Sequence, residues 1–331
     1  MDITVFKMMR MLVDEFKNNN QWGTAHIYQS SFKAFSTYRR GSDLSFDDLS
    51  ANVIKGFEIY LRDRKCSRNT VATYIKVVKA TYNRAVDCGA VTSFTPRLFS
   101  HVCTTTENRR KRALDAKEMG LIMNEKTVQT GNGLLYEKLI FRLMFLLRGI
   151  SFVDLAYLRK DDIKAGTISY CRRKTGRTIT VKLTTEAKTI MKKLSRNTPR
   201  YSPYIFPFIS SPEGTEAAYK EYQRALRKFN HRLNRLSQNM PTHLSTYTAR
   251  HTWATMAYYC EIHQGIISEA MGHSSIAVTE TYLKPFNNDR IDEANERVIE
   301  YVKRAAPFHL PPKGEAPKRP TAKKKQSSPK R

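Results

Sequence analysis

The chain has 331 residues, long enough for two domains that each bury a core, and 40% apolar with 26% charged residues is ordinary globular composition. Its formal net charge of +27 points to a polyanionic partner, of which nucleic acid is the commonest. The stretch from Pro307 to Arg331 holds eight Lys and Arg against one Glu, so about +20 remains on the rest of the chain and the surplus is not confined to a tail.

Five cysteines (Cys66, Cys88, Cys103, Cys171 and Cys260) are scattered, odd in number and without a C-x-x-C pair. That pattern argues against a disulfide framework and a zinc site, and fits a reducing cytoplasm. The N-terminus, MDITVFKMMRMLVDEF, has an acid at position two and no continuous apolar core, so it does not read as a signal peptide. The most apolar stretch, Leu134 to Leu147, spans about 14 residues and carries Glu137, Lys138 and Arg142, too short and too charged for a bilayer. It predicts a buried helix.

From Met1 to about Arg110 the periodicity is helical throughout. Ile27, Phe32, Phe35 and Tyr38 fall at helical spacing in Thr24–Tyr38, which Gly41-Ser42 ends. Ser45 to Leu49 reads as a cap before Val53–Arg64, with Ile54, Phe57 and Leu61 on one stripe. Ser67-Arg68-Asn69-Thr70 opens a helix over Val71–Cys88, stopped by Gly89, whose Lys76, Lys79 and Arg84 alternate with Tyr74 and Tyr82. Basic residues interleaved with aromatics suit phosphate contact, and equally a solvated helix face. Thr95 to Lys111, with Pro96 and TTTENRRKR, reads as a linker whose basic end could follow a phosphate backbone. Leu114 to Glu118 restarts a helix and opens a second domain. After FVDLAYLRKDDI the period changes to two: Ile168, Tyr170 and Arg172 alternate, as do Ile179, Val181 and Leu183, with Lys174-Thr175-Gly176 between them. That predicts a β-hairpin. Thr184 to Tyr282 returns to helix, interrupted around Ser202 to Gly214, and the last 25 residues are Pro-, Lys- and Ser-rich and predicted disordered. No internal repeat is visible.

Four features carry chemistry. They are Leu147-Arg148-Gly149-Ile150-Ser151-Phe152-Val153-Asp154-Leu155; Arg172-Arg173-Lys174-Thr175-Gly176; Tyr247-Thr248-Ala249-Arg250-His251-Thr252-Trp253; and Met271-Gly272-His273 followed nine positions later by Tyr282. Together they resemble the catalytic domain of the tyrosine recombinase family (lambda-integrase-like, Xer-like), over Lys111 to Arg304. Arg250 and His273 lie 23 residues apart, His273 and Tyr282 nine, and Lys174 sits in a hairpin. The resemblance implies a mainly α fold with a small β-hairpin or sheet: a SAM-like helical core-binding domain with its linker over 1–110, an α+β catalytic domain over 111–306, and a basic disordered tail over 307–331.

The resemblance also implies a function, site-specific recombination of duplex DNA in integration or excision of a mobile element or in DNA inversion. Tyr282 would attack a phosphodiester to give a 3′-phosphotyrosyl link and a free 5′-hydroxyl, conserving bond energy without ATP. Arg250 and Arg148, as planar cationic forks, would neutralise the non-bridging oxygens. Lys174 would protonate the leaving oxygen, and His273 would bind phosphate or assist proton transfer. Tyr247, His251 and Asp154 stand as supporting residues. No cofactor or metal is implied. Expected partners are double-stranded DNA, further copies forming a homotetramer on two sites, and accessory DNA-bending proteins, with no membrane; the expected location is the cytoplasm at the nucleoid.

Each residue has a plainer reading beside this one. His273 could cap a helix after Gly272, Lys174 competes with Arg172, Arg173 and Arg177 in the same hairpin, and Tyr282 is one of 17 tyrosines selected by its distance from His273. The sequence departs from the family pattern twice. Tyr247 occupies the usual His position three residues before Arg250, and a phenol with a pKa near 10 donates to phosphate but is a poor base. The first arginine usually precedes the acid by three residues; if Asp154 is that acid, the position holds Ser151, and Arg148 lies upstream, roughly 4.5 Å away along a regular helix. A type IB topoisomerase-like enzyme and a DNA-binding protein of the same fold without cleavage stand as alternatives.

Overall fold

The computed structural model describes residues 3–107, 112–124, 134–283, 286 and 288–305. The basic end of the linker (108–111) and the basic tail lie outside the described residues.

Four helices build the N-terminal part: α1 (Val5–Asn18), α2 (Trp22–Tyr38), α3 (Ala51–Asp63) and α4 (Arg68–Asp87). Side-chain caps set three of their starts. Thr4, Ser50 and Ser67 accept from the backbone N–H groups of Lys7, Val53 and Thr70, satisfying donors that a helix leaves open. The cap of α3 is therefore Ser50; the earlier Ser45 closes a separate turn with Asp48, Oγ to Oδ2 2.7 Å. The core is aromatic: Phe35 and Phe57 are fully buried and meet edge to face at 4.9 Å. Three expectations change here. Ile27 is 43% exposed and stays off the core stripe. Tyr82 is buried among Phe46, Phe94 and Phe99, so among the described residues Lys76 and Lys79 of the α4 stripe remain as exposed cations without an ion-pair partner, Arg84 pairing with Glu15 at 3.4 Å. Leu98 and Phe99, read as linker, pack into the N-terminal core, because two apolar side chains suffice to pin an irregular segment that has no period.

The second part begins at α5 (Ala116–Met123), opened by a reciprocal capping box between Asp115 and Glu118. It continues through α6 (Leu135–Leu146), α7 (Phe152–Ala156), strands β1 (Ile163–Lys164), β2 (Thr167–Cys171) and β3 (Thr178–Lys182), α8 (Thr185–Leu194), α9 (Glu216–Leu236), α10 (Thr246–Tyr259), α11 (Gln264–Ala270) and α12 (Ile276–Glu280). α6 is the centre of this core. Ile140, Phe141, Leu143 and Met144 are all fully buried, and α8, α9 and α10 pack around them. Its charged residues are each paired: Glu137 with Arg232 at 2.5 Å, Arg142 with Glu186 at 2.6 Å, and Lys138 Nζ with the Asn124 carbonyl at 2.7 Å. Arg142 is thus a structural ion-pair residue.

β1, β2 and β3 form an antiparallel sheet in that order, one strand more than the hairpin the alternation predicts. The register sets Ile168 opposite Val181 and Tyr170 opposite Ile179, and these four form the buried face. The two parts meet where the Trp22 indole Nε1–H donates to the Gly214 carbonyl at 2.8 Å. A separate unit, Pro285–Arg331, contains α13 (Asn288–Ala305), with Arg297–Glu293 and Arg304–Glu300 pairs one turn apart and Ile291, Ala294, Val298, Ile299 and Val302 at amphipathic spacing. No described helix is long and apolar enough to cross a membrane.

Candidate active site

Two helix ends and the α10 helix converge on one buried cluster. The first end follows α6. Arg148 (φ 57°) and Gly149 (φ 68°) are both left-handed, so the chain reverses after the helix instead of continuing toward Asp154 as one regular helix. The 4.5 Å displacement expected between positions 148 and 151 therefore does not describe the geometry. Gly149 is required twice over, for its φ and because a Cβ there would lie 2.8 Å from the Arg250 Cα. The second end follows α11. Gly272 (φ 62°) closes a Schellman turn, with Gly272 N–H to Glu269 O at 2.9 Å and His273 N–H to Ser268 O at 2.9 Å, which delivers His273 inward.

Arg250, on α10, is 3% exposed. Its Nη1 donates to the Gly149 carbonyl at 2.8 Å, and its Nη2 donates to the Met271 carbonyl at 2.7 Å and faces His273 Nε2 at 2.8 Å. Its Nε has no partner among the described residues. Burial, and then the neighbouring Arg172, push its pKa down, opposed by the Tyr282 phenol; a guanidinium starts so high that it remains a cation. His273 is 1% exposed, and burial followed by Arg250, Arg172 and Lys174 pushes its pKa down to about 3. The ring is neutral near pH 7. Since Nε2 meets a guanidinium it must accept, which leaves the proton on Nδ1, donated to Thr279 Oγ1 at 2.8 Å.

Tyr282 follows α12 and is 8% exposed. Its ring stacks on His273 at 4.9 Å and lies 4.6 Å from the His251 ring, with the Arg250 guanidinium 5.5 Å from its centroid. Its carbonyl accepts from Thr255 Oγ1 at 3.2 Å and faces His251 Nδ1 at 3.4 Å. Arg250, His273, Tyr282 and His251 are thus brought together within one chain. Tyr247 is 53% exposed, 6.1 Å from the His251 ring; partial burial and the Tyr282 phenol raise its pKa, which keeps it protonated and a donor. Arg148 is half-buried, near enough to Tyr170 to act on it alongside Arg250 and Arg172, and its guanidinium makes no hydrogen bond or ion pair among the described residues. Lys174 is exposed at the hairpin tip, within electrostatic reach of His273.

Asp154 stands behind these groups, 4% exposed. It accepts from Ser151 Oγ at 2.6 Å and from the Arg173 backbone N–H at 2.9 Å. Ser151 caps α7, so the residue at the family's usual arginine position here serves helix initiation. Three buried residues escaped assignment from sequence: Arg172, Thr255 and Thr279. Only Arg172 gave a signal, since the alternation that buries Ile168 and Tyr170 also turns it inward. Among the described residues no group of three or more His, Cys, Asp or Glu is placed to hold a metal ion.

The comparisons decide the family. The phage integrase SAM-like domain model matches residues 4–95, and the phage integrase family model matches residues 112–288. The chain belongs to the phage integrase family of tyrosine recombinases. This integrase-family chain is similar in structure to the Tn1549 transposon integrase solved with transposon right-end DNA, at 15% identity and a TM-score of 0.64 over 89% of this chain and 99% of that one. It is also similar to a lambda integrase dimer bound to a COC′ core site (18% identity, TM-score 0.58, 82% and 94% covered) and to a lambda integrase tetramer bound to a Holliday junction (18%, 0.58, 86% and 78%). These likenesses show the fold, a helical SAM-like domain followed by a tyrosine recombinase catalytic domain. No curated protein matches in sequence.

Proposed function

We propose that this chain cuts and rejoins duplex DNA through a 3′-phosphotyrosyl intermediate formed by Tyr282, in integration or excision of a mobile element or in inversion of a DNA segment. The observation that carries it is the Tyr282–His273–Arg250 cluster, in which a phenol stacks on a neutral imidazole held by a buried guanidinium 2.8 Å away. Tyr282 attacks phosphorus and the P–O5′ bond breaks. Arg250 and Arg148 stabilise charge on the non-bridging oxygens; Arg148 suits this because its fork is uncommitted within the described residues. His273, its Nε2 engaged by the Arg250 guanidinium and its Nδ1–H by Thr279 Oγ1, holds Arg250 and the Tyr282 ring in place. The phenol proton passes to solvent as the O–P bond forms, and Lys174 supplies the proton to the departing 5′-oxygen. Tyr247, with its raised pKa, donates to phosphate and does not act as a base.

Residues 1–110 form the core-binding domain and linker, 111–306 the catalytic domain and 307–331 a basic tail. The N-terminal core, separate from the cores of the second span, and the two matched spans support the boundary near residue 110. The similar structures carry DNA, and lambda integrase forms dimers and a tetramer on it; by the same geometry four copies act on two sites here, because each active site cuts one strand and exchange needs four cuts. The amphipathic α13 is the segment suited to join neighbours. Incubation with supercoiled DNA carrying the candidate sites tests the reading: wild type gives a covalent protein–DNA adduct, and Tyr282→Phe binds the sites but gives none. An adduct from Tyr282→Phe at more than a few per cent of wild type refutes the assignment.

A further inference from the structure

Arg172 lies one residue beyond β2, is 5% exposed, and reaches across to a different part of the chain. Its Nη1 donates to the Gly272 carbonyl at 2.6 Å, and Thr175 Oγ1, from the hairpin loop, donates to the same carbonyl at 3.1 Å. The loop itself is closed on Arg172, whose N–H donates to Arg177 O at 2.8 Å and whose carbonyl accepts from Gly176 N–H at 2.8 Å. Asp154 grips the loop from the other side, through the Arg173 N–H and with its Oδ2 4.0 Å from Arg172 Nε. Gly272 leaves no room for a side chain: a Cβ would lie 2.8 Å from Ile179 Cδ1 and 3.2 Å from Arg172 Cδ. A single carbonyl thus ties the loop that bears Lys174 to the turn that delivers His273.

We propose that Arg172 is a positioning residue that clamps the hairpin loop to the Gly272 carbonyl and so holds Lys174 where it protonates the leaving 5′-oxygen. The proposal rests on Lys174 being the general acid. Other roles for Arg172 predict different chemistry. A cation bound directly to phosphate assists every substrate, whereas a residue acting through Lys174 matters only when the leaving group needs a proton. A DNA substrate with sulfur replacing the bridging 5′-oxygen separates the two. There the Tyr282 O–P bond forms, the P–S bond breaks and the sulfur departs as a thiolate, which is stable near neutral pH because thiols ionise at about 8.5.

Single-turnover cleavage of both substrates by the full chain is the test. On ordinary DNA, Arg172→Ala and Lys174→Ala should each be slower than wild type by about 10² or more, the usual span of general-acid assistance. On the sulfur substrate both should return to within about threefold of wild type, the residue left after a 10² effect is removed. If Lys174→Ala recovers and Arg172→Ala stays slow, Arg172 acts on the phosphate or the fold and the positioning role is wrong. If Lys174→Ala itself does not recover, the general-acid reading fails and takes the proposal with it. Thermal unfolding and DNA binding show whether Arg172→Ala is folded. Should it not be, Thr175→Val, which removes only the second bond to Gly272, decides. A slowing on ordinary DNA that vanishes on the sulfur substrate supports the clamp; no slowing, or one that persists, overturns it.

Discussion

His273 gives the site a pH dependence that can be calculated and separated from the other seven histidines of the chain. In the folded protein its pKa lies at about 3, against 6.5 for the ordinary side chain, because burial and the cations Arg250, Arg172 and Lys174 oppose its protonation. As pH falls below 6.5, the unfolded chain takes up this proton and the folded chain does not. Stability therefore falls with pH through this window, by about 1.4 kcal/mol for each unit. Between pH 7.5 and 4.5 the loss from this one ring is about 2.7 kcal/mol, a large share of the roughly 5–15 kcal/mol that holds a domain folded. Urea unfolding of wild type and His273→Gln at pH 7.5, 6.5, 5.5 and 4.5 measures it. Wild type should be the more stable at pH 7.5, and its advantage should shrink by about 2–3 kcal/mol at pH 4.5. A stability difference that stays constant across this range would refute the reasoning, since it would mean that His273 titrates alike in both states. The same neutrality means that His273 adds no ionisation to the cleavage profile between pH 6 and 8.

Arg148→Ala should slow single-turnover cleavage by about 10²–10³ while leaving DNA binding and unfolding nearly unchanged, and Arg148→Lys should rescue it poorly; cleavage within about threefold of wild type on a nicked suicide substrate would move the second cation elsewhere in the chain. Gly149→Ala forces a left-handed alanine against the Arg250 Cα, so it should lose at least about 1–2 kcal/mol in urea unfolding and cut much more slowly, and an unchanged midpoint would contradict the packing. Deleting residues 290–331 should abolish synapsis and strand exchange in a two-site gel assay while sparing single-site binding. Loss of exchange on deletion of 307–331 alone would assign that role to the basic tail instead of α13.

Much of this architecture was legible because local chemistry and tertiary packing agree. Ser67 caps α4, Asp115 and Glu118 form their box, and the alternation of Ile168 with Tyr170 and of Ile179 with Val181 becomes the buried face of the sheet. What stayed hidden depends on contacts with no local signature. Leu98 and Phe99 have no period, and only the N-terminal core decides that they are buried. The reversal at Arg148 is a left-handed non-glycine residue, which propensity disfavours and which tertiary structure imposes. Arg172 was visible as an inward residue, but its partner is 100 positions away and is a carbonyl, so no motif could name it. Arg250, His273 and Tyr282 could be found because their types and separations are rare together; Thr279 and Thr255, common residues at ordinary places, could not.

The carbonyls of Gly149, Met271 and Gly272 share a property that bears on how this enzyme family member tolerates change. They hold Arg250 and Arg172 with main-chain oxygens, which every residue type carries. Drift in the identity of position 271 therefore leaves the grip on Arg250 in place so long as an apolar residue fills its buried site, whereas positions 149 and 272 stay glycine for want of room. Length is another matter. Inserting or deleting one residue between Ser268 and His273, or between Leu147 and Ile150, rotates a carbonyl away from its guanidinium however conservative the new side chain is. A library of variants should accordingly show intolerance of indels at both bends, with substitution tolerated at position 271 but not at Gly149 or Gly272, where a Cβ would clash.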